Sequence, residues 1–437
     1  MTIIAAAAAV TRAMSQQHAA AAVIGGSLGG LAAAHALQQS GVFAVVDVFE
    51  RSPTPLSTKG SGLGYVNVPA WESLTRRPMM RRGRRASRHQ GSFYYGDLWK
   101  FLYEPLVLHN NNDQSITTPT VNIHFNSSID HIDGTVNQPV ILGKPYDLVV
   151  VANGGFSQLR NYVLEEESNN SQQEPEYAGY VVWRGSVDTR QLDSILLQEL
   201  QNIEGVYKSG IYDTIVLKMA KDDGTDLWTM GTFVATPEEE TTQYWNKQVD
   251  GKSRHGGIDD NVDTNSKKNQ QNATPDWFLP HMRRHFGNVP GLMTLMESIV
   301  QKGELKAHPQ YEFGNIDRVH NGRILLLGDA AHMASPRTAV GAHTAIMDAL
   351  ALRDAFQLQH DHDGGNNQDQ TCSNSNDIDI DARIERYSKT GLLNARGLYA
   401  RTREVSAEFV PPGGLDAIQS PASAFLSQSP LEESSSL

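Results

Sequence analysis

The chain has 437 residues, 39% hydrophobic and 20% charged, enough for a large buried core and more than one structural unit. A net charge of −12 argues against a nucleic-acid-binding surface, and a single cysteine, Cys372, excludes an intrachain disulfide and cysteine-based zinc sites. No apolar run is long enough to cross a bilayer, so a soluble, cytoplasmic protein is expected.

Residues 1–18 carry one arginine, many alanines and no acid. They read either as an organellar targeting segment or as a ragged terminus; the lack of arginine richness and of a clear cleavage site favours the terminus. Ala20–Ile24 is a short apolar strand, Leu31–Gln39 a small Ala-rich helix stopped by Gly41, and Ala44–Phe49 a second strand. This βαβ unit predicts a parallel sheet.

At its first junction the chain reads VIGGSLGGLAAA, with Gly25, Gly26, Ser27, Leu28, Gly29 and Gly30 forming the turn. Glycines there permit a tight turn and close backbone approach, and the helix amides that follow suit a pyrophosphate. Ser27 stands where the middle glycine of G-x-G-x-x-G is usual. Glu50, 20 residues after Gly30 and next to Arg51, ends the second strand, where an acid accepts the ribose hydroxyls of an adenosine. A carboxylate there repels a 2′-phosphate, which leaves NAD or FAD at this site.

The middle of the chain is β-rich. Tyr177–Trp183, Asp213–Ala220 and Asp226–Ala235 lack helical periodicity between them and predict an antiparallel sheet in a second unit. Residues 250–273 and 358–376 are Asn-, Gln-, Asp- and Gly-rich and read as disordered inserts. His360 and His362 in the second insert read as part of a solvated loop rather than a metal site.

Arg323–Leu327 then gives a buried-type strand, with Gly328 and Asp329 at its carboxyl end, where open α/β sheets bind ligands. Asp329 is placed to accept hydrogen bonds from a ribityl chain. Pro336 and Gly341 shape the turn before a helix over residues 342–356, whose amino end would face an isoalloxazine ring. These elements select FAD over NAD. The resulting expectation is an α/β chain with a Rossmann-like FAD-binding domain in two parts, residues 20–170 and 308–357. An antiparallel substrate domain at 171–307 interrupts it, C-terminal helices follow at 377–409, and a disordered tail occupies 410–437.

The order of these motifs resembles the class A flavoprotein aromatic hydroxylases, with the para-hydroxybenzoate hydroxylase type of fold. The family patterns G-D-A-A-H, P-x-x-G-x-G and D-A-x-x-L are matched by Gly328, Asp329, Ala330, Ala331, His332, Pro336, Gly341, Asp348, Ala349 and Leu352, with Ala339 replacing one glycine. The pattern D-G-x-x-S-x-x-R appears as YDLVVVANGGFSQLR, with Gly154, Ser157 and Arg160 matching and Asn153 in place of aspartate. More narrowly, GGSLGGL, VFERSPTPLSTKGSGL, YAGYVVWRG and PRTAVG resemble the 2,6-dihydroxypyridine 3-monooxygenase subgroup.

The resemblance implies that NADH or NADPH reduces FAD, that dioxygen is trapped as a flavin hydroperoxide, and that an electron-rich aromatic or N-heteroaromatic ring is hydroxylated. It implies Asn153 and Gly154 as further cofactor contacts, and Trp183 and Arg184 as candidates for the substrate pocket. No acid or base is assigned from sequence, Tyr311 being no more than a guess, and the oligomeric state is left open. Seven arginines lie between Arg76 and Arg88. They read either as an irregular solvated loop or as a docking patch for the phosphates of the reductant. A reductase or dehydrogenase that inserts no oxygen, and an inactive FAD-binding protein, are the alternatives.

Overall fold

The computed structural model describes residues 19–58, 62–79, 90–112, 119–164, 174–210, 212–241, 274–357, 379–411 and 413–421. The first 18 residues, Arg81 to Arg88, both Asn-rich inserts and Cys372 lie outside these.

The chain begins with β1 (Ala19–Ile24), α1 (Leu28–Ser40) and β2 (Phe43–Phe49), as the periodicity predicts. Gly41, in a left-handed conformation at φ 68°, ends α1. Next come β3 (Gly62–Asn67), α2 (Val68–Thr75), β4 (Gln90–Tyr94), α3 (Tyr95–Asn112) and β5 (Thr120–His124). A small meander, β6 (Asp133–Thr135), β7 (Gln138–Ile141) and β8 (Lys144–Pro145), leads into β9 (Leu148–Val151).

The second unit contains β10 (Glu176–Asp188), α4 (Ser194–Glu199), β11 (Gly205–Ser209), β12 (Tyr212–Ala220), β13 (Asp226–Ala235), α5 (Phe278–Phe286), α6 (Pro290–Gln301) and β14 (Lys306–Glu312). The chain then returns to the first unit through β15 (His320–Asn321), β16 (Ile324–Leu326), α7 (Gly341–Phe356) and α8 (Ile380–Ser406).

The first sheet has the order β15-β16-β9-β1-β2-β5, parallel from β16 to β5. Its central strands, AAAAVI and LVVV, are continuous apolar runs because both faces are covered. The alanines of α1 let it pack closely against α7 while its other side meets β1 and β2.

The second sheet is antiparallel, ordered β11-β12-β13-β10-β14. Side chains alternate along β10. Val181, Trp183 and Val187 point to a core shared with Trp277, Phe278, Met282 and Leu292 of the α5–α6 side, while Val182 and Arg184 face the first unit.

Three expectations are corrected. A short helix, α4, stands between the β-rich runs; Asp193 caps it by accepting from the Leu196 amide at 2.8 Å, a local signal that six residues of sequence carry weakly. Residues 306–312, placed in the FAD-binding part, belong to the antiparallel sheet, because β14 pairs with β10. The tail expected from residue 410 is packed at its start: Ile418 is buried with Tyr180, Phe233 and Phe409. The C-terminal helices expected at 377–409 are one helix, α8.

Candidate functional site

The glycine-rich turn sits at the carboxyl end of β1. Gly25 has φ 109°, and a Cβ there would collide with the Ala152 carbonyl oxygen; one on Gly30 would collide with the Gly25 carbonyl. Both positions therefore exclude side chains, for two different reasons: close approach of β9 and close packing of α1. Gly29 has open space by comparison, with its nearest Cβ contacts at 3.6 Å, and borders the cleft with Leu28.

Glu50 holds the turn in place. Its Oε2 accepts from the Gly26 amide at 2.7 Å and its Oε1 accepts from the Ser52 amide at 2.8 Å. Each carboxylate oxygen retains further acceptor capacity, and Glu50 lines the cleft beside the exposed Arg51. Ser27 is the N-cap residue of α1 but makes no side-chain cap. Its hydroxyl instead lies 2.7 Å from the Tyr95 hydroxyl, while Trp99 Nε1 donates to the Gly26 carbonyl at 2.8 Å. Burial, with Glu50 and Asp329 nearby, pushes the Tyr95 hydroxyl up to about 12, so it remains a neutral donor. Sequence reasoning missed Tyr95 and Trp99, because their partners are about 70 residues away and α3 carries no motif.

Across the sheet, Asn153 and Gly154 (φ 98°) border the cleft after β9. Arg160 is buried, stacks on Phe313 with its guanidinium carbon 3.8 Å from the ring centre, and donates to the Gly155 carbonyl. Burial lowers its pKa to about 10, which leaves it charged.

After β16 comes Gly328, at φ 62°, then Asp329. Asp348 of α7 locks this turn: its Oδ2 accepts from the Gly328 amide at 3.1 Å and pairs with His332 Nε2 at 2.6 Å, and its Oδ1 accepts from Asn394 Nδ2 of α8 at 2.8 Å. Burial disfavours charge on His332, but the Asp348 carboxylate outweighs it and raises the pKa of the ring. Asp329 has no hydrogen-bonding partner among the described residues and is open to the cleft alone. The protein around it raises its pKa, against the opposing pull of His332 and Arg160. Pro336 and Gly341 bracket the last turn, in which Ala339 adopts a left-handed φ of 55°.

These pieces line one cleft of 1220 Å³, above the roughly 300–1,000 Å³ of ordinary small-molecule pockets. It runs from Glu50, Arg51 and Asp130 past Asp329 to the antiparallel sheet, where Val182, Arg184, Leu217 and Phe233 form the wall. Gly26 and Gly30 lie behind this surface and shape it. Trp183, expected as a pocket residue, is on the opposite face against Trp277 and Phe278.

A sequence-family profile described as FAD binding domain matches residues 264–366. The chain is 27% identical over 367 residues to 2,6-dihydroxypyridine 3-monooxygenase of Paenarthrobacter nicotinovorans, covering 77% of this chain and 82% of that one. The solved structure of 2,6-dihydroxypyridine-3-hydroxylase from Arthrobacter nicotinovorans superposes with a TM-score of 0.61 at 19% identity, over 90% of this chain and 93% of that one. This is the class A flavoprotein aromatic hydroxylase fold. Klebsiella pneumoniae HpxO, solved with FAD and uric acid, shares it with a TM-score of 0.59 at 19% identity, over 94% of this chain and 93% of that one.

The residues present fit the FAD that this class A fold carries. The side-chain-free cradle at Gly25, the acceptors of Glu50 and the partnerless carboxylate of Asp329 lie along one continuous surface. Among the described residues no group of three or more His, Cys, Asp or Glu is arranged to hold a metal ion, and no helix is long and apolar enough to cross a membrane.

Proposed function

We propose that this chain is an FAD-dependent monooxygenase that uses NADH or NADPH and dioxygen to hydroxylate an electron-rich aromatic or N-heteroaromatic ring. One observation carries the reading: the dinucleotide cradle and the wall of the antiparallel sheet enclose the same cleft. Bound FAD supplies the redox and oxygen chemistry; the protein supplies position, dryness and charge.

Gly25 and the start of α1 receive the pyrophosphate, and Glu50 the adenosine ribose. Asp329 accepts from the ribityl hydroxyls, held at its depth by the Asp348 lock on Gly328. The amino end of α7, at Gly341, faces the ring end of the cleft and favours negative charge there. Val182, Ile215, Leu217 and Phe233 exclude water from the substrate side.

Purified protein is expected to be yellow, to release FAD on mild acid treatment, and to consume NAD(P)H faster with a suitable hydroxylated pyridine or phenol. Labelled dioxygen should appear in the product. Consumption without label would mark a reductase or dehydrogenase, and a colourless protein that takes up no FAD would refute the reading.

A further inference from the structure

Arg184 stands in the cleft wall without a counter-charge. It lies on β10 opposite Lys306 of β14 and Gly231 of β13, so its nearest strand neighbours offer another cation and no side chain. Among the described residues it has no ion pair or hydrogen bond through its guanidinium, whereas Arg337 on the same cleft is paired with Asp213 and Glu408. The third polar group on this side, His308 of β14, has its pKa pushed down to about 3 by burial and by Arg184 and Lys306. It is neutral and adds no compensation. The apolar side chains Val182, Leu217 and Phe233 surround the position.

A guanidinium always carries charge, and enclosing it in an apolar wall without a partner is strongly unfavourable. Arginine also binds carboxylates in a bidentate fork that a lysine cannot reproduce. The missing partner is therefore supplied from the cleft. We infer that Arg184 is the substrate anchor and that the substrate is an aromatic or N-heteroaromatic ring bearing an anionic oxygen, most simply a carboxylate. This rests on the function proposed above and narrows its substrate class.

The test uses the FAD-loaded protein and two isosteric pairs, 4-hydroxybenzoate with 4-hydroxybenzamide and 6-hydroxynicotinate with 6-hydroxynicotinamide, titrated by perturbation of the flavin absorbance. The carboxylates should bind about 10- to 150-fold more tightly than the amides. Arg184→Gln and Arg184→Met should bring that ratio close to one with FAD content unchanged, and Arg184→Lys should retain part of it. Ligand-free Arg184→Met should melt no lower than the parent, since it removes an uncompensated charge rather than a bond. Equal binding of acid and amide by the parent protein, no carboxylate binding at millimolar concentration, a ratio preserved in the variants, or a lower melting temperature for Arg184→Met would each overturn the assignment. Failure to bind FAD at all would instead overturn the function on which it rests.

Discussion

Ala339 adopts φ 55° and ψ 12° in the turn before α7, a left-handed conformation that costs a residue with a Cβ about 1–2 kcal/mol. Ala339→Gly should therefore raise stability by about 0.5–1 kcal/mol, the relief being partly offset by the freer unfolded chain. Denaturant unfolding with FAD content as a control would check it. Asp329 offers the opposite case, an acceptor with nothing to accept from. Asp329→Ala should weaken FAD binding by about 10- to 150-fold, read by equilibrium titration of the apoprotein. Both residues were legible in sequence as members of motifs. The partnership of Ser27 with Tyr95 was not, since a serine in a glycine's place signals only smallness and its partner is 68 positions away.

Elements built from continuous or alternating apolar runs, such as β1 and β13, could be read directly, because burial dictates their composition. Membership of a sheet could not: β14 has the composition of either unit and is assigned only by its pairing with β10. The polar knot beneath the first sheet was equally silent. There, Asp47 of β2 accepts from Lys144 at 2.6 Å, Tyr146 at 2.8 Å and Asn122 at 2.9 Å, and meets His124 at 3.0 Å. Burial alone would raise the Asp47 pKa, but hydrogen bonds from Lys144, His124, Asn122 and Tyr146 outweigh it and hold the carboxyl well below the usual range. A depressed folded-state pKa stabilises above the unfolded value near pH 4, and the benefit is lost as pH falls from there through the folded value. Asp47→Asn should lower stability by about 1.5–3 kcal/mol at pH 7. The deficit should shrink as urea midpoints are measured from pH 5 down to pH 2.

Over the whole molecule, the cleft exists only while two units keep their relation, and Arg337 is central to that. It pairs with Asp213 of β12 at 2.5 Å and Glu408 beyond α8 at 2.6 Å, and its guanidinium carbon lies 4.7 Å from the Phe409 ring centre. Arg337→Ala would leave Asp213 enclosed without a cation, at a cost of about 2–4 kcal/mol once the exposure of Glu408 is discounted. The expected result is a lower melting temperature with FAD still bound. Motif order revealed that two units exist and that one interrupts the other; how they meet is set by such long-range pairs.

The helix α8 also bears on how the molecule is made. It supplies Asn394 to Asp348, Tyr387 to the Leu326 carbonyl at 2.9 Å, and Arg403 to the buried Glu312 at 3.2 Å. The turn that carries Asp329 is thus braced by residues translated some 60 positions later. A growing chain that has already formed β1, α1 and β2 on the ribosome holds only the adenosine half of its cradle. Nascent chains arrested at residue 378 should retain little FAD, and those that have exposed all of α8 should retain it tightly, so the cofactor becomes captive only as synthesis passes its final long helix.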